Sequence, residues 1–234
     1  MARKPTPKPA ARSTPGRDRT ERERIIDAFM TLLAHKPIEL IGFADIAKEA
    51  GVALADLRGQ FGSTLAILAA QTKETDRAVL AGADADMAEE PARERLFDVL
   101  MRRLDVLAPH KAAVKSLLRS AMRDPPLALA LNALAVRSQQ WMLTAADIDA
   151  AGPRGTLRAQ GLAVLFASVL RTWVDDDDPG HARTMAALDR ALARGQRWSG
   201  FLDNLGRIPA CTCRLGRRRR RDADEGDGEG VVAA

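Results

Sequence analysis

Apolar positions recur at helical spacing along most of the chain. Ile25, Ile26, Phe29, Leu32 and Leu33 follow one another at steps of 3, 4 and 7, which marks one buried face of a helix. Thr20 and Glu23 stand just ahead of them as T-x-x-E, a capping box that sets the start, and Pro37 sets the end. Phe43–Ala50 predicts a second short helix with Phe43, Ile46, Ala47 and Ala50 on one side. Gly51 follows at the position where a left-handed residue closes the turn most cheaply. A third short helix is expected over Leu54–Phe61. Gly62-Ser63 breaks it, and Ser63 is placed to cap a fourth helix from Thr64 to about Leu80.

Helical periodicity resumes after a stretch of Gly, Asp and Ala at 82–90. Leu96, Phe97, Leu100, Met101, Leu104 and Leu107 make one stripe, and Val114, Leu117, Leu118 and Met122 another. Pro125-Pro126 restarts the chain, and Leu127 to about Asp147 reads as a long helix. Gly152-Pro153 reads as a turn, and Leu157–Val174 as the most apolar helix. Asp175–Asp178 with Pro179-Gly180 reads as a loop before a last helix over about 181–195, with apolar positions continuing past Trp198 to Phe201. No segment alternates with period two, so the expected fold class is all-α. The expected organisation is an arm at 1–19, a three-helix unit at 20–70, a helical domain at 71–206 and a tail at 207–234.

Short helices with a glycine turn between the second and third form the helix-turn-helix pattern. In it the first helix of the pair braces on the DNA backbone while the second reads base edges in the major groove. The residues carry more than the pattern. Arg24-Ile25-Ile26-Asp27-Ala28, then Phe43-Ala44-Asp45-Ile46-Ala47-Lys48-Glu49-Ala50-Gly51-Val52, then Leu57 and Phe61-Gly62-Ser63 resemble the N-terminal domain of the TetR family. That family shows I-L-x-A-A, x-D-I-A-x-x-A-G-V-S and L-Y-x-H-F-x-S-K, and the resemblance covers about residues 20–70. It implies an all-α, two-fold-symmetric transcriptional regulator. It implies double-stranded DNA with a pseudo-palindromic operator as partner, and a C-terminal domain that binds a small apolar ligand and forms a homodimer. By position, the expected DNA-binding residues are Arg17, Arg19, Lys48, Ala53, Leu54, Arg58, Gln60 and Thr64. Four of these depart from the family pattern: Ala53 replaces Ser or Thr, Arg58 replaces Tyr, Gln60 replaces His and Thr64 replaces Lys. The Tyr and Lys positions commonly touch phosphates in the family.

Charge sharpens this picture. The chain has 234 residues, a net charge of +5 and a pI near 9.7, which points to a polyanion partner. The basic excess sits at the ends. Residues 1–24 hold eight Lys/Arg against three Asp/Glu, and residues 207–234 hold seven against five, so the body between them is slightly acidic. The stretch 25–70 holds only Lys36, Lys48 and Arg58 against five acidic residues, and Asp56 lies in the expected groove helix. Phosphate neutralisation supplies most non-specific affinity, so the basic arm is expected to compensate, as minor-groove arms do.

Phe97, Met101, Leu104, Met122, Trp141, Met142 and Phe166 are the candidate ligand pocket, with plain core packing as the other explanation for each. The resemblance places a dimer seam on Leu162, Leu165, Val169, Trp173, Met185, Leu188 and Leu192. A second resemblance gives the alternative function. Leu162–Leu192, with Arg171-Thr172-Trp173-Val174-Asp175, is similar to lipid-binding accessory proteins of ubiquinone biosynthesis. They keep the TetR-like fold, do not bind DNA and hold isoprenoid lipid.

Other features exclude classes. No apolar run reaches the length of a membrane span. Met1–Arg17 lacks the apolar stretch of a secretory signal, and Cys211 and Cys213 cannot frame a disulfide-stapled fold, so the expected compartment is the cytoplasm. Asp175–Asp178 offers oxygen ligands for a hard cation, but Asp178 as helix cap with Pro179 in the first turn accounts for it better. His110 has no clustered ligands around it, and Arg217–Arg221 is flanked by acidic residues. No nucleophile, phosphate-loop or histidine constellation is present, and the chain is not expected to be an enzyme or to need a cofactor or metal.

Overall fold

A computed structural model describes the backbone of residues 20–205 and, except for Ala85, the side chains of that stretch as far as Gly195. The arm at 1–19, with Arg17 and Arg19, and the tail, with Cys211, Cys213 and Arg217–Arg221, lie outside the described residues. The described residues form helices and no strands. They are α1 (Glu21–His35), α2 (Phe43–Ala50), α3 (Leu54–Gln60), α4 (Thr64–Ala81), α5 (Ala92–Leu107), α6 (Lys111–Ala121), α7 (Pro125–Ala145), α8 (Gly152–Trp173) and α9 (Ala182–Leu205). Short 3-10 turns at Ile38–Leu40, Ala85–Glu89 and Ala108–His110 fill connections that helical periodicity alone does not reveal.

Local chemistry explains the boundaries. The Glu23 backbone N–H donates to the Thr20 hydroxyl at 3.2 Å, and the Thr20 N–H donates back to the Glu23 carboxylate at 2.8 Å, so the capping box is complete. The Ser63 hydroxyl accepts from the Ala66 N–H at 3.1 Å and starts α4. Two expected boundaries move. α7 begins at Pro125 because Asp124 caps it through the Leu127 N–H at 3.1 Å, and prolines fit a first turn that has no N–H partner to lose. Gly152-Pro153 opens α8 for the same reason, rather than forming a turn ahead of it. A Cβ at Gly155 would lie 2.0 Å from the Ala150 carbonyl carbon, so only glycine lets this first turn pass the incoming chain.

The α8–α9 connection also differs from expectation. Asp176, 1% exposed, accepts from the Thr184 N–H at 2.9 Å and from its hydroxyl at 2.6 Å. The Thr184 hydroxyl thereby holds the Asp176 carboxyl below the usual carboxylate range. Asp178 accepts from Gly180 and Ala182, and Pro179 lies outside the helix. Asp175 pairs with Lys115 at 2.6 Å and Asp177 with Lys111 at 3.9 Å, so the acidic run disperses over separate partners instead of converging on a cation.

Burial divides into two clusters. The first gathers Ile25, Phe29 and Leu33 of α1, Ile46 of α2, Leu57 of α3, Ile67 and Leu68 of α4 and Ala113 of α6. The second gathers Val79 of α4, Leu100 and Leu104 of α5, Met142 of α7, Phe166 and Trp173 of α8 and Leu188 of α9. α4 contributes to both. Between its two apolar stretches lie Thr75 and Asp76, both buried. Asp76 is paired with the Arg103 guanidinium of α5 and accepts from the Ser138 hydroxyl of α7 at 2.6 Å. Two further bonds fix α6 to the α1–α2 connection: Ser116 to the Lys36 carbonyl at 3.1 Å and Ser120 to Glu39 at 2.9 Å.

Removing one partner of a buried ion pair strands the other charge. Arg103→Leu should therefore lower the stability of the chain by about 3–5 kcal/mol in urea unfolding. A loss below about 1 kcal/mol would show that Asp76 is not held in a dry site.

Candidate nucleic-acid interface

The α2–α3 unit is built around one turn. Gly51 has φ +63° and its N–H donates to the Lys48 carbonyl at 3.3 Å, while Val52 N–H reaches the Ala47 carbonyl at 3.1 Å. The Arg24 guanidinium crosses from α1 and donates to the carbonyls of Ala50 at 3.3 Å and Gly51 at 3.4 Å. These carbonyls at the end of α2 have no intrahelical donor, and a cation there also suits the negative end of the helix. Asp45 caps α2 through the Gly42 N–H at 3.3 Å and meets Lys36 at 3.9 Å.

α3 is only seven residues long, so its position depends on two anchors. Leu57 is 2% exposed and Phe61 is 4% exposed. Every other residue of α3 points outward: Leu54, Ala55, Asp56, Arg58, Gly59 and Gln60 are exposed, as is Ala53 before them. This is the geometry of a helix held by one edge with its opposite face free, which a groove-reading helix needs. Leu54 and Ala53 offer methyl groups of the kind that meet thymine, and Arg58 and Gln60 offer donors for base edges or phosphate. Lys48 is exposed on α2. Thr64 lies in the first turn of α4, whose N-terminal end favours a phosphate oxygen.

One residue that the sequence pattern did not single out joins this face. The Arg22 guanidinium lies 4.5 Å from the centre of the Phe61 ring, stacked at the end of α3. Only the packing of α1 against α3 brings these distant positions together, and the excess of basic residues before Arg24 was the one available signal. Arg58 folds toward Gly62, where the missing Cβ leaves space for its guanidinium. Arg22, Lys48, Arg58, Gln60 and Thr64 thus belong to one small head around α3.

The candidate ligand pocket does not assemble as one site. Leu104, Met142 and Phe166 are packed inside the second cluster, and Phe97 and Met101 are half-buried at its edge. Met122 is 67% exposed, because it falls at the C-cap of α6, and Trp141 is 58% exposed on the outer side of α7. Trp141 instead lines an open groove of about 740 Å³ with Gln140, Thr144, Asp147, Ile148 and Asp149. The candidate dimer seam is likewise divided. Leu162, Val169, Trp173, Leu188 and Leu192 are buried within the single chain, so their burial is complete without a partner. Leu165 is half-buried and Met185 exposed. Leu157 and Val164, outside that seam, are both exposed on α8.

No family model and no curated protein matches the chain. Solved structures do. A TetR transcriptional regulator from Nitrosomonas europaea ATCC 19718 superposes with a TM-score of 0.60 at 22% identity, covering 76% of this chain and 99% of that one. A TetR transcriptional regulator from Rhodococcus sp. RHA1 gives 0.53 at 20% identity, covering 75% of this chain and 95% of that one. The chain has the TetR-type fold.

Gly51→Ala forces an L residue into the left-handed region at the turn that joins α2 to α3. It should cost about 1–2 kcal/mol in thermal or urea unfolding. An unchanged midpoint would mean that the turn relaxes and does not fix α3.

Proposed function

We propose that the chain is a DNA-binding transcriptional regulator of the TetR type. The observation that supports this best is the exposed face of α3, held by Leu57 and Phe61 beneath and by the Arg24-clamped turn beside it. On this reading α3 enters the major groove, Arg58 and Gln60 meet base edges or phosphate, and Arg22, Lys48 and Thr64 fix the register on the backbone. The head is short of cations, and the basic arm with Arg17 and Arg19 supplies the rest from an adjacent minor groove.

The protein acts as a homodimer on a pseudo-palindromic operator, because two-fold symmetry places two heads on two half-sites. Of the apolar side chains on α8 and α9, Leu157, Val164, Leu165 and Met185 are accessible to the second copy. A small apolar effector regulates it by linkage. It binds better to a conformation in which the two heads are badly spaced, so it lowers operator affinity by the factor by which DNA lowers its own. α4 transmits the change because it belongs to both clusters. Phe97 and Met101 are the proposed pocket residues that remain accessible beside it. The protein is cytoplasmic in this account. Among the described residues, no helix is long and apolar enough to cross a membrane.

The test is binding to the protein's own upstream DNA at two salt concentrations, with and without residues 1–19. A sequence-selective complex is expected, weakened by removing the arm. Arg58→Ala should weaken it and, where Arg58 meets phosphate, flatten the log–log salt slope by about 0.9. No selective complex from either form would overturn the regulator reading. Unchanged binding without the arm would overturn the arm's role alone.

A further inference from the structure

Several charged side chains of the head have internal partners. Arg24 clamps the α2–α3 turn, Asp45 caps α2 and meets Lys36, Glu39 accepts from Ser120, and Arg22 stacks on Phe61. Asp56 is different. It stands at the third position of α3, where an acidic side chain can reach back to the cap, yet α3 begins at Ala53 with no side-chain cap. It is exposed, and among the described residues it joins no ion pair or hydrogen bond. On a face that approaches phosphates, a carboxylate without a structural task lowers affinity.

The shape of α3 decides what Asp56 can touch. Leu57 points inward, so Ala55 and Gly59, two positions to either side, stand farthest out. Asp56 and Gln60, one turn apart, share one flank, and Arg58 lies on the other. The outermost ridge is thus a methyl group and a glycine, and a Cβ at Gly59 would meet nothing within 4 Å. Such a ridge lets the helix backbone come close to the floor of a groove. A carboxylate on a single methylene needs that approach to reach a base edge. An ionised carboxylate only accepts hydrogen bonds. In the major groove guanine presents two acceptors and thymine one, whereas cytosine presents its N4 amino group alone. Adenine also offers an amino group, but its N7 acceptor lies beside it and suits an amide rather than a carboxylate.

We propose that Asp56 is a specificity-determining residue that selects cytosine in each half-site, accepting a hydrogen bond from the N4 amino group in the major groove. This inference rests on the regulator reading. The carboxylate works as much by rejection as by attraction, because every base that turns an acceptor toward it leaves it repelled and unpaired. Asp56 therefore weakens binding to DNA in general and widens the gap between right and wrong sites. A carboxylate in a first turn also suits the positive end of a helix, but that role is blind to DNA sequence.

Selection of bound duplexes from a randomised pool by the full chain, repeated with Asp56→Ala, tests the assignment. The wild-type chain should enrich a half-site with one position fixed as a C·G pair, and Asp56→Ala should leave that position open while keeping the others. Replacing this cytosine should cost the wild-type chain about five- to a hundredfold in affinity, and the variant far less. Asp56→Ala should also bind unrelated duplex more tightly than the wild-type chain does. Asp56→Asn keeps the shape and adds donors, so it should admit adenine at the same position; it serves as the test if Asp56→Ala does not fold. Unchanged preferences in the folded variant, or an equal loss of affinity for every duplex, would overturn the role of Asp56 and leave the regulator reading standing. No enriched sequence from the wild-type chain would overturn both.

Discussion

The Asp76 carboxylate sits at the point where α4 leaves one hydrophobic cluster and enters the other. A carboxylate there would be prohibitive alone. Arg103 from α5 and Ser138 from α7 satisfy it, and the Arg103 guanidinium also lies 5.8 Å from the Phe166 ring of α8. Four helices therefore meet at one polar point in an otherwise apolar interior. Apolar packing tolerates sliding, whereas a directional ion pair with a hydroxyl on the same oxygen does not. The register of α4 against the second cluster follows from it, and α4 carries that register into the head. The bonds of Ser116 and Ser120 to the α1–α2 connection close the same frame from the other side.

This frame explains how a helix as short as α3 can present a fixed face. Seven residues are too few for independent helical stability. Leu57 and Phe61 hold it from below, Gly51 fixes its entry, and Arg24 neutralises the carbonyls at the turn. The outward residues are then free of structural duty. That freedom is consistent with Ala53, Arg58, Gln60 and Thr64 departing from the TetR pattern while Leu57, Phe61 and Gly51 keep it. Asp56 is the one acidic side chain on that helix, and the cations around it come from α1, α2 and α3 itself.

What the sequence made legible follows from the range of each signal. Caps, glycine turns and helical stripes are local, so Thr20–Glu23, Ser63, Gly51 and the α2 limits could be read from neighbouring residues. The α8 start is not fixed by its local sequence, because Gly152-Pro153 is compatible with both a turn and a first helical turn. A stripe shows that a face is buried but not what buries it. Val169, Trp173 and Leu188 therefore read equally well as a seam between chains and as the interior of one. Met122 continued the α6 stripe, yet it lies at the C-cap, where the helical direction ends. Arg22 on Phe61 depends on packing between distant segments, and no local pattern encodes it.

The central claim is that α3 reads the major groove, twice, in a symmetric complex. Methylation protection of guanine N7 on the upstream DNA tests it most directly, since that atom is accessible only from the major groove. The account predicts two protected patches on one face of the duplex, about one helical turn or a multiple of it apart. Binding that leaves every guanine N7 reactive, or a single patch without a symmetric mate, would contradict it.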